Sequence, residues 1–140
     1  MEKSRTLKTL WAEAALAASG AWTESDPASL SPGSSTAGLL VTYARGGAAG
    51  APALRIETSP DGVRWFLATL LDGTVSTSTP YGRLTAYAQE IRLAAPASDD
   101  PVLLEIVLDV SRAAFVRVQA AEYGNTGAPG TLTLELVEGL

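Results

Sequence analysis

Residues 53–70 read ALRIETSPDGVRWFLATL, and the class of the fold turns on this stretch. Leu54, Ile56 and Thr58 alternate with Arg55 and Glu57, the two-residue period of a strand with one buried face. Ser59-Pro60-Asp61-Gly62 is a turn signal, because proline presets φ at the first central position and glycine tolerates φ > 0 at the end. Val63–Leu70 then reads as the returning strand, which makes the whole stretch a β-hairpin.

Moving outward, short β runs continue on both sides. Upstream lies Leu39–Arg45 (LLVTYAR), joined to the hairpin by GGAAGAP. Downstream, Asp72-Gly73 marks a turn, and 74–83 (TVSTSTPYGR) reads as a polar edge strand followed by a loop. Leu84–Leu93 suits a strand, although Leu84, Tyr87 and Ile91 also fit a helical turn. Ala94–Pro101 is a loop, and Val102–Val110 (VLLEIVLDV) is an apolar central strand. Ser111-Arg112 links it to Ala113–Tyr123, GNTGAPG (124–130) turns the chain, and Thr131–Val137 (TLTLELV) closes it. This is about seven or eight strands with a turn signal every ten residues or so, the pattern of an antiparallel β-sandwich or a jelly-roll-like barrel. Strands do not alternate with helical patterns, so a parallel sheet is not expected.

The N-terminal part differs. Leu7, Leu10, Trp11, Ala14, Ala15 and Ala18 follow helical spacing, with Ser4 placed to cap the start and Gly20 the end. Periodicity favours a short helix over 4–19, and a strand stays open because alanine-rich segments specify neither. Residues 23–38 (TESDPASLSPGSSTAG) read as a linker. The expected organisation is an arm at 1–22, a linker at 23–38 and one β domain at 39–140, within the size of a single domain.

The 140 residues contain no cysteine and no histidine. Disulfides and thiolate metal sites are excluded, and the commonest general base and neutral metal ligand are missing. A hydrolytic triad is not expected, because serines abound but nothing is positioned to activate one. Asp61, Asp72, Asp99, Asp100, Asp109, Glu90, Glu105 and Glu122 are the carboxylates open to acid–base work. They fall singly on polar strand faces or in turns, where solvated charge is the ordinary role. Asp99-Asp100 with Ser98 offers oxygen ligands for calcium but lacks the regular spacing of a calcium loop. No phosphate-binding glycine motif is present, and no cofactor is expected.

Net charge is −5, with a net +2 on residues 1–8 and −7 on the rest. A basic arm on an acidic body can reach a neighbour's acidic face; the alternative is a solvated terminus. An acidic body without a basic stripe argues against nucleic acid. No apolar run approaches the roughly 18–20 residues that span a bilayer, and the N-terminus lacks the apolar core of a signal peptide, so no membrane partner is expected.

Aromatic residues are the remaining candidates. Trp65 and Phe115 are expected to fill the core, since large aromatics dominate burial. Trp11 and Trp22 flank a small-residue segment and are expected to anchor it, either onto its own body or onto a neighbour.

IETSPDGVRWFLATL (56–70) resembles a motif of small virion proteins of tailed bacteriophages, in which a strand ends in ETSPDG and a Trp three residues after the Gly starts the return strand. FVRV (115–118), GTLTLEL (130–136) and ALAASGAW (15–22) are similar to other segments of those proteins, so the resemblance covers most of the chain. SPDGVRW is also similar to the Asp-box of sialidase propellers, but here there is one copy with different spacing. The phage resemblance implies a non-enzymatic β-sandwich protein of the virion, made in the host cytoplasm, that decorates the capsid or sits near the head–tail junction. It implies capsid or tail proteins of the same virion as partners, and a homo-oligomer. The expected contact residues are Lys3, Arg5, Leu7, Lys8, Leu10, Trp11 and Trp22. A carbohydrate-binding or adhesion module of the same architecture is the alternative, and it requires a row of exposed aromatics on one sheet face.

Overall fold

Two-residue alternation is realised most plainly at 102–109 and 131–138, where every second side chain is buried. The computed structural model describes residues 6–77, 84–87, 90–124 and 127–138. Among these the strands are β1 (Thr6–Ala15), β2 (Thr23–Glu24), β3 (Ala28–Ser29), β4 (Thr36–Ala44), β5 (Ala51–Ser59), β6 (Phe66–Leu67), β7 (Thr69–Thr77), β8 (Leu84–Tyr87), β9 (Glu90–Leu93), β10 (Val102–Asp109), β11 (Phe115–Tyr123) and β12 (Thr131–Glu138). All their pairings are antiparallel. They form two sheets packed against each other, a β-sandwich. Sheet A has the order β1-β12-β4-β10-β7; sheet B has β2-β11-β5-β9-β8, with β3 on β11 and β6 on β5.

The core lies between the sheets. Sheet A contributes Leu39, Val41, Leu104, Ile106, Leu108, Leu132, Leu134 and Leu136, and sheet B contributes Leu54, Ile56, Val116, Val118 and Ile91. Each such side chain stabilises the fold by about 1.5–3 kcal/mol when fully buried. Register aligns the buried positions: Ile106 and Leu136 both sit opposite Leu39, and Leu104 and Leu134 opposite Val41.

Several elements differ from the sequence expectation. Thr6–Ala15 is a strand and not a helix. Its register on β12 slips between Thr9 and Trp11 and again between Trp11 and Ala14. Each bulge inserts a residue and interrupts strict alternation, so apolar positions fall three or four apart and imitate helical spacing. Within the segment expected as an arm, Thr6–Ala15 is therefore the edge strand of sheet A. The segment expected as a linker carries β2, β3 and the first residues of β4. The Asp72-Gly73 turn is absorbed into β7, within a register slip against β10 between Leu70 and Val75. Val63–Leu70 is not one strand: only Phe66–Leu67 pairs with β5, and the chain then crosses to sheet A as β7.

One polar contact spans the interior. Glu122 of β11 is 1% exposed. Its Oε2 accepts a hydrogen bond from Tyr43 Oη of β4 at 2.5 Å and from the Gly130 amide at 2.9 Å. Burial, followed by the bond to Glu122, raises the Tyr43 phenol far above its ordinary pKa, so the hydroxyl stays protonated as the donor. A Cβ at residue 130 would fall 2.6 Å from Ala44 O and 2.7 Å from Glu122 Oε2, so only glycine fits there. Tyr43→Phe should destabilise the protein by about 1–3 kcal/mol, because a buried carboxylate loses a donor, and Gly130→Ala by a similar about 1–3 kcal/mol through overpacking. Urea unfolding checks both, and an unchanged midpoint for Tyr43→Phe would exclude the clasp as a stabilising element.

Candidate functional site

The side chains expected to reach a partner are mostly committed to the protein's own body. Lys8 Nζ lies 3.5 Å from Glu138 Oε2 and donates to the Ser29 carbonyl. Glu138, itself buried, also accepts from Ser31 N at 2.6 Å and Ser31 Oγ at 3.0 Å. This cluster ties β1, β12 and the β3–β4 connection together. Leu10 is a core residue, and Trp11 packs against the core. Trp22 lies under Arg55, whose guanidinium carbon is 3.9 Å from the ring centre, and edge-on to Tyr123 at 6.4 Å. Of the two anchoring roles open to Trp22, the contact observed is with its own body. Leu7 is the exception, 57% exposed. Lys3 and Arg5 lie outside the described residues.

Trp65 and Phe115 are not core residues, contrary to expectation; both are half-buried. Arg117 Cζ stacks 4.1 Å from the Trp65 ring, and Phe115 packs beside Gly62. They sit on the outer face of sheet B with Trp22 and Tyr123. Arg92 Cζ lies 3.9 Å over the Tyr123 ring. Ala53 and Ala121 lie opposite each other on this outer face yet are fully buried. Arginine and aromatic side chains thus form a second packed layer over a small-residue floor.

Three exposed apolar side chains lie elsewhere, on the β5–β6 hairpin. Val63 is 80% exposed, Phe66 58% and Leu67 49%. They are held on a rigid turn. Ser59 Oγ accepts from the amides of Asp61 and Gly62 at 3.2 and 2.7 Å. Asp61 Oδ1 accepts from the amides of Val63 and Arg64 at 2.9 and 2.8 Å, and Arg64 Nε donates to Oδ2 at 2.9 Å. Gly62 adopts φ 78°, a left-handed conformation that favours glycine. These bonds take up the N–H groups that a returning strand would need, which is why β6 starts only at Phe66. Sequence reading missed the exposed trio. The available signal was Ser59 and Asp61, whose short side chains compete with a ladder for backbone donors.

Beside the trio opens a cleft of about 670 Å³ lined by Thr58, Pro60, Phe66, Leu67, Thr69, Asp109, Ser111, Arg112 and Ala113. Its size is within the range of small-ligand sites, and it combines an apolar wall with a few polar groups, as such sites do. Asp109 Oδ1 accepts from Ser111 Oγ at 2.7 Å and from Ser111 N at 3.0 Å. Those two bonds, with the nearby Arg112 charge, hold its carboxyl below the ordinary range. The cleft lies where the chain crosses between sheets, so residues of β5, β6, β7 and the β10–β11 turn meet only in the folded state.

Ser98, Asp99 and Asp100, the candidate calcium ligands, make local bonds and one to Arg45. Asp99 Oδ1 accepts from Arg45 Nε at 2.9 Å, and Asp100 N donates to Ser98 Oγ at 3.3 Å. No cluster of three or more potential metal ligands occurs among the described residues. Comparison with protein-family models, with curated proteins and with solved structures finds no match.

The Arg64 and Val63 amides, followed by the Arg64 side chain, hold the Asp61 carboxyl below the usual range. A carboxyl depressed in the folded state contributes stability that is present above its unfolded pKa of about 3.9 and lost as pH falls through the folded value. An NMR titration should therefore show the Val63 and Arg64 amide shifts unchanged down to about pH 3.9 and moving only below it. A midpoint at or above the ordinary aspartate value would contradict the caged turn.

Proposed function

We propose that this chain is a non-enzymatic structural protein of a tailed-phage virion that binds capsid or tail proteins, with the β5–β6 hairpin and its cleft as the contact. The observation that carries this reading is the exposed trio Val63, Phe66 and Leu67 on a turn fixed by Ser59 and Asp61. Apolar side chains on a preorganised hairpin bury area against a partner with little ordering cost, which is the physics of an interface anchor. The likeness of 56–70 to virion proteins supports the class of partner, and the β-sandwich is the architecture that likeness implies. Expression in the host cytoplasm followed by residence in the virion belongs to the same reading. Lys8, Leu10, Trp11 and Trp22 then serve the fold, and Leu7 is the described member of the N-terminal set left for contact.

Phe66→Asp combined with Leu67→Asp places charge on exposed positions and should leave the melting temperature near that of the parent. Incorporation into particles assembled in a host, read by gel analysis of purified virions, should fall by about tenfold or more, since placing charge in an interface costs over 1.4 kcal/mol. Undiminished incorporation would remove the hairpin as the contact.

One observation favours a second reading, the sugar-binding module. Phe66 shares the cleft with Asp109, Ser111, Arg112, Thr58 and Thr69, an aromatic surface beside hydroxyl-directed polar groups. A glycan array discriminates: this reading requires saturable binding that Phe66→Ala and Arg112→Ala abolish, whereas the virion reading expects no saturable signal.

A further inference from the structure

Between Val63 and Leu67 one side chain is withdrawn from solvent. Val63, Arg64, Phe66 and Leu67 are exposed, whereas Trp65 is half-buried. The bonds made by Ser59 and Asp61 give the turn its shape, but they all fall within residues 59–64 and cannot set its direction. Direction comes from β11. At the stem, the Ser59 carbonyl accepts from the Ala114 amide at 2.8 Å. At the tip, Gly62 rests on Phe115, close enough that a Cβ would lie 3.2 Å from ring atom Cε2. On the returning side, the Trp65 ring lies 4.1 Å from Arg117 Cζ.

Arg117 is itself pinned. Its Nε donates to Glu57 Oε1 at 3.0 Å, and its Nη1 lies 3.3 Å from Glu24 Oε1. Glu24 also accepts from Gln119 Nε2 at 3.1 Å. The two carboxylates belong to β5 and β2, the strands on either side of β11. They hold the guanidinium by its edge and leave its face for the ring, a double use that planar arginine permits and lysine does not. Glu57 also sits opposite Leu67, so the residue that orients Arg117 belongs to the rung carrying part of the exposed trio. Pro60, Phe66 and Leu67 form one wall of the cleft, and Ser111, Arg112 and Ala113 form the other. The direction of the hairpin therefore sets the distance between those walls.

We propose that Trp65 and Arg117 are positioning residues, whose stack fixes the hairpin against β11 and so sets the width of the cleft and the presentation of Val63, Phe66 and Leu67. Their use in binding rests on the reading of the hairpin as the contact; their effect on its direction does not. A hairpin fixed beforehand spares a partner the cost of immobilising it.

The chain has no cysteine, so Val63→Cys and Arg112→Cys can carry one spin label on each wall of the cleft. Double electron–electron resonance on this full-length protein should give one narrow distance distribution. Adding Trp65→Leu, or separately Arg117→Leu, should broaden it by about twofold or more, as for a loop released to move on its stem. Trp65→Phe keeps a ring under the guanidinium, and Glu57→Gln keeps the stack, so both should leave it narrow. Should Arg117→Leu fail to fold, Trp65→Leu carries the test, because it leaves both carboxylates on Arg117. In the chain without labels, Arg117→Leu should enter virions about threefold less or worse, and Trp65→Phe at the parent level. A distribution that stays narrow in the folded leucine variants overturns the proposal, whatever happens in particles. Broadening with undiminished incorporation of Arg117→Leu, where Phe66→Asp/Leu67→Asp loses it, overturns the role in binding. Undiminished incorporation of Phe66→Asp/Leu67→Asp strikes the contact reading instead, and the distances still decide what the stack does.

Discussion

Glu122 places a carboxylate almost wholly out of water between the two sheets, and the end of the sandwich where β4, β11 and β12 meet is arranged around it. An unpaired carboxylate there would be strongly destabilising. Tyr43 reaches it from the opposite sheet, and the Gly130 amide reaches it from the approach to β12. Aliphatic contacts elsewhere in the core are non-directional and tolerate sliding. The Tyr43–Glu122 bond does not, because its donor and acceptor belong to different sheets. It therefore sets how β4 of sheet A lies over β11 of sheet B, and the absence of a side chain at residue 130 is a consequence of the same bond.

A second polar cluster does comparable work at the other end. Glu138, Lys8 and Ser31 join the first strand, the last strand and the connection into β4. Through Lys8 this second cluster explains why the N-terminal segment belongs to the body. Beyond β1, Trp22 stacks with Arg55 and Tyr123 on the outer face of sheet B, the face on which Ala53 and Ala121 are buried. Small residues on an outward face make room for that layer, and the layer leaves sheet B rich in arginine. Among the described residues sheet A receives no such cover, and its outer face stays apolar and acidic.

These assignments concentrate the opportunities for contact. The hairpin trio is exposed because Ser59 and Asp61 hold the turn in a form that cannot ladder. The cleft exists because the chain leaves sheet B at Leu67 and enters sheet A at Thr69. The chain contains no histidine or cysteine.

The amino-acid sequence by itself determined the class of the fold. Alternation at 54–58, 102–109 and 131–137 and the SPDG turn are local properties, and local periodicity suffices to mark antiparallel strands. It also determined the absence of histidine and cysteine, which composition alone carries. Only tertiary structure decided the state of residues 6–15, because two bulges gave a strand the spacing of a helix and only pairing with β12 resolves that ambiguity. Only tertiary structure decided that Trp65 and Phe115 lie outside the core, since which face of a sheet is covered depends on what packs there. The same holds for the cleft: a site built from strands distant in the chain is a property of who meets whom in space.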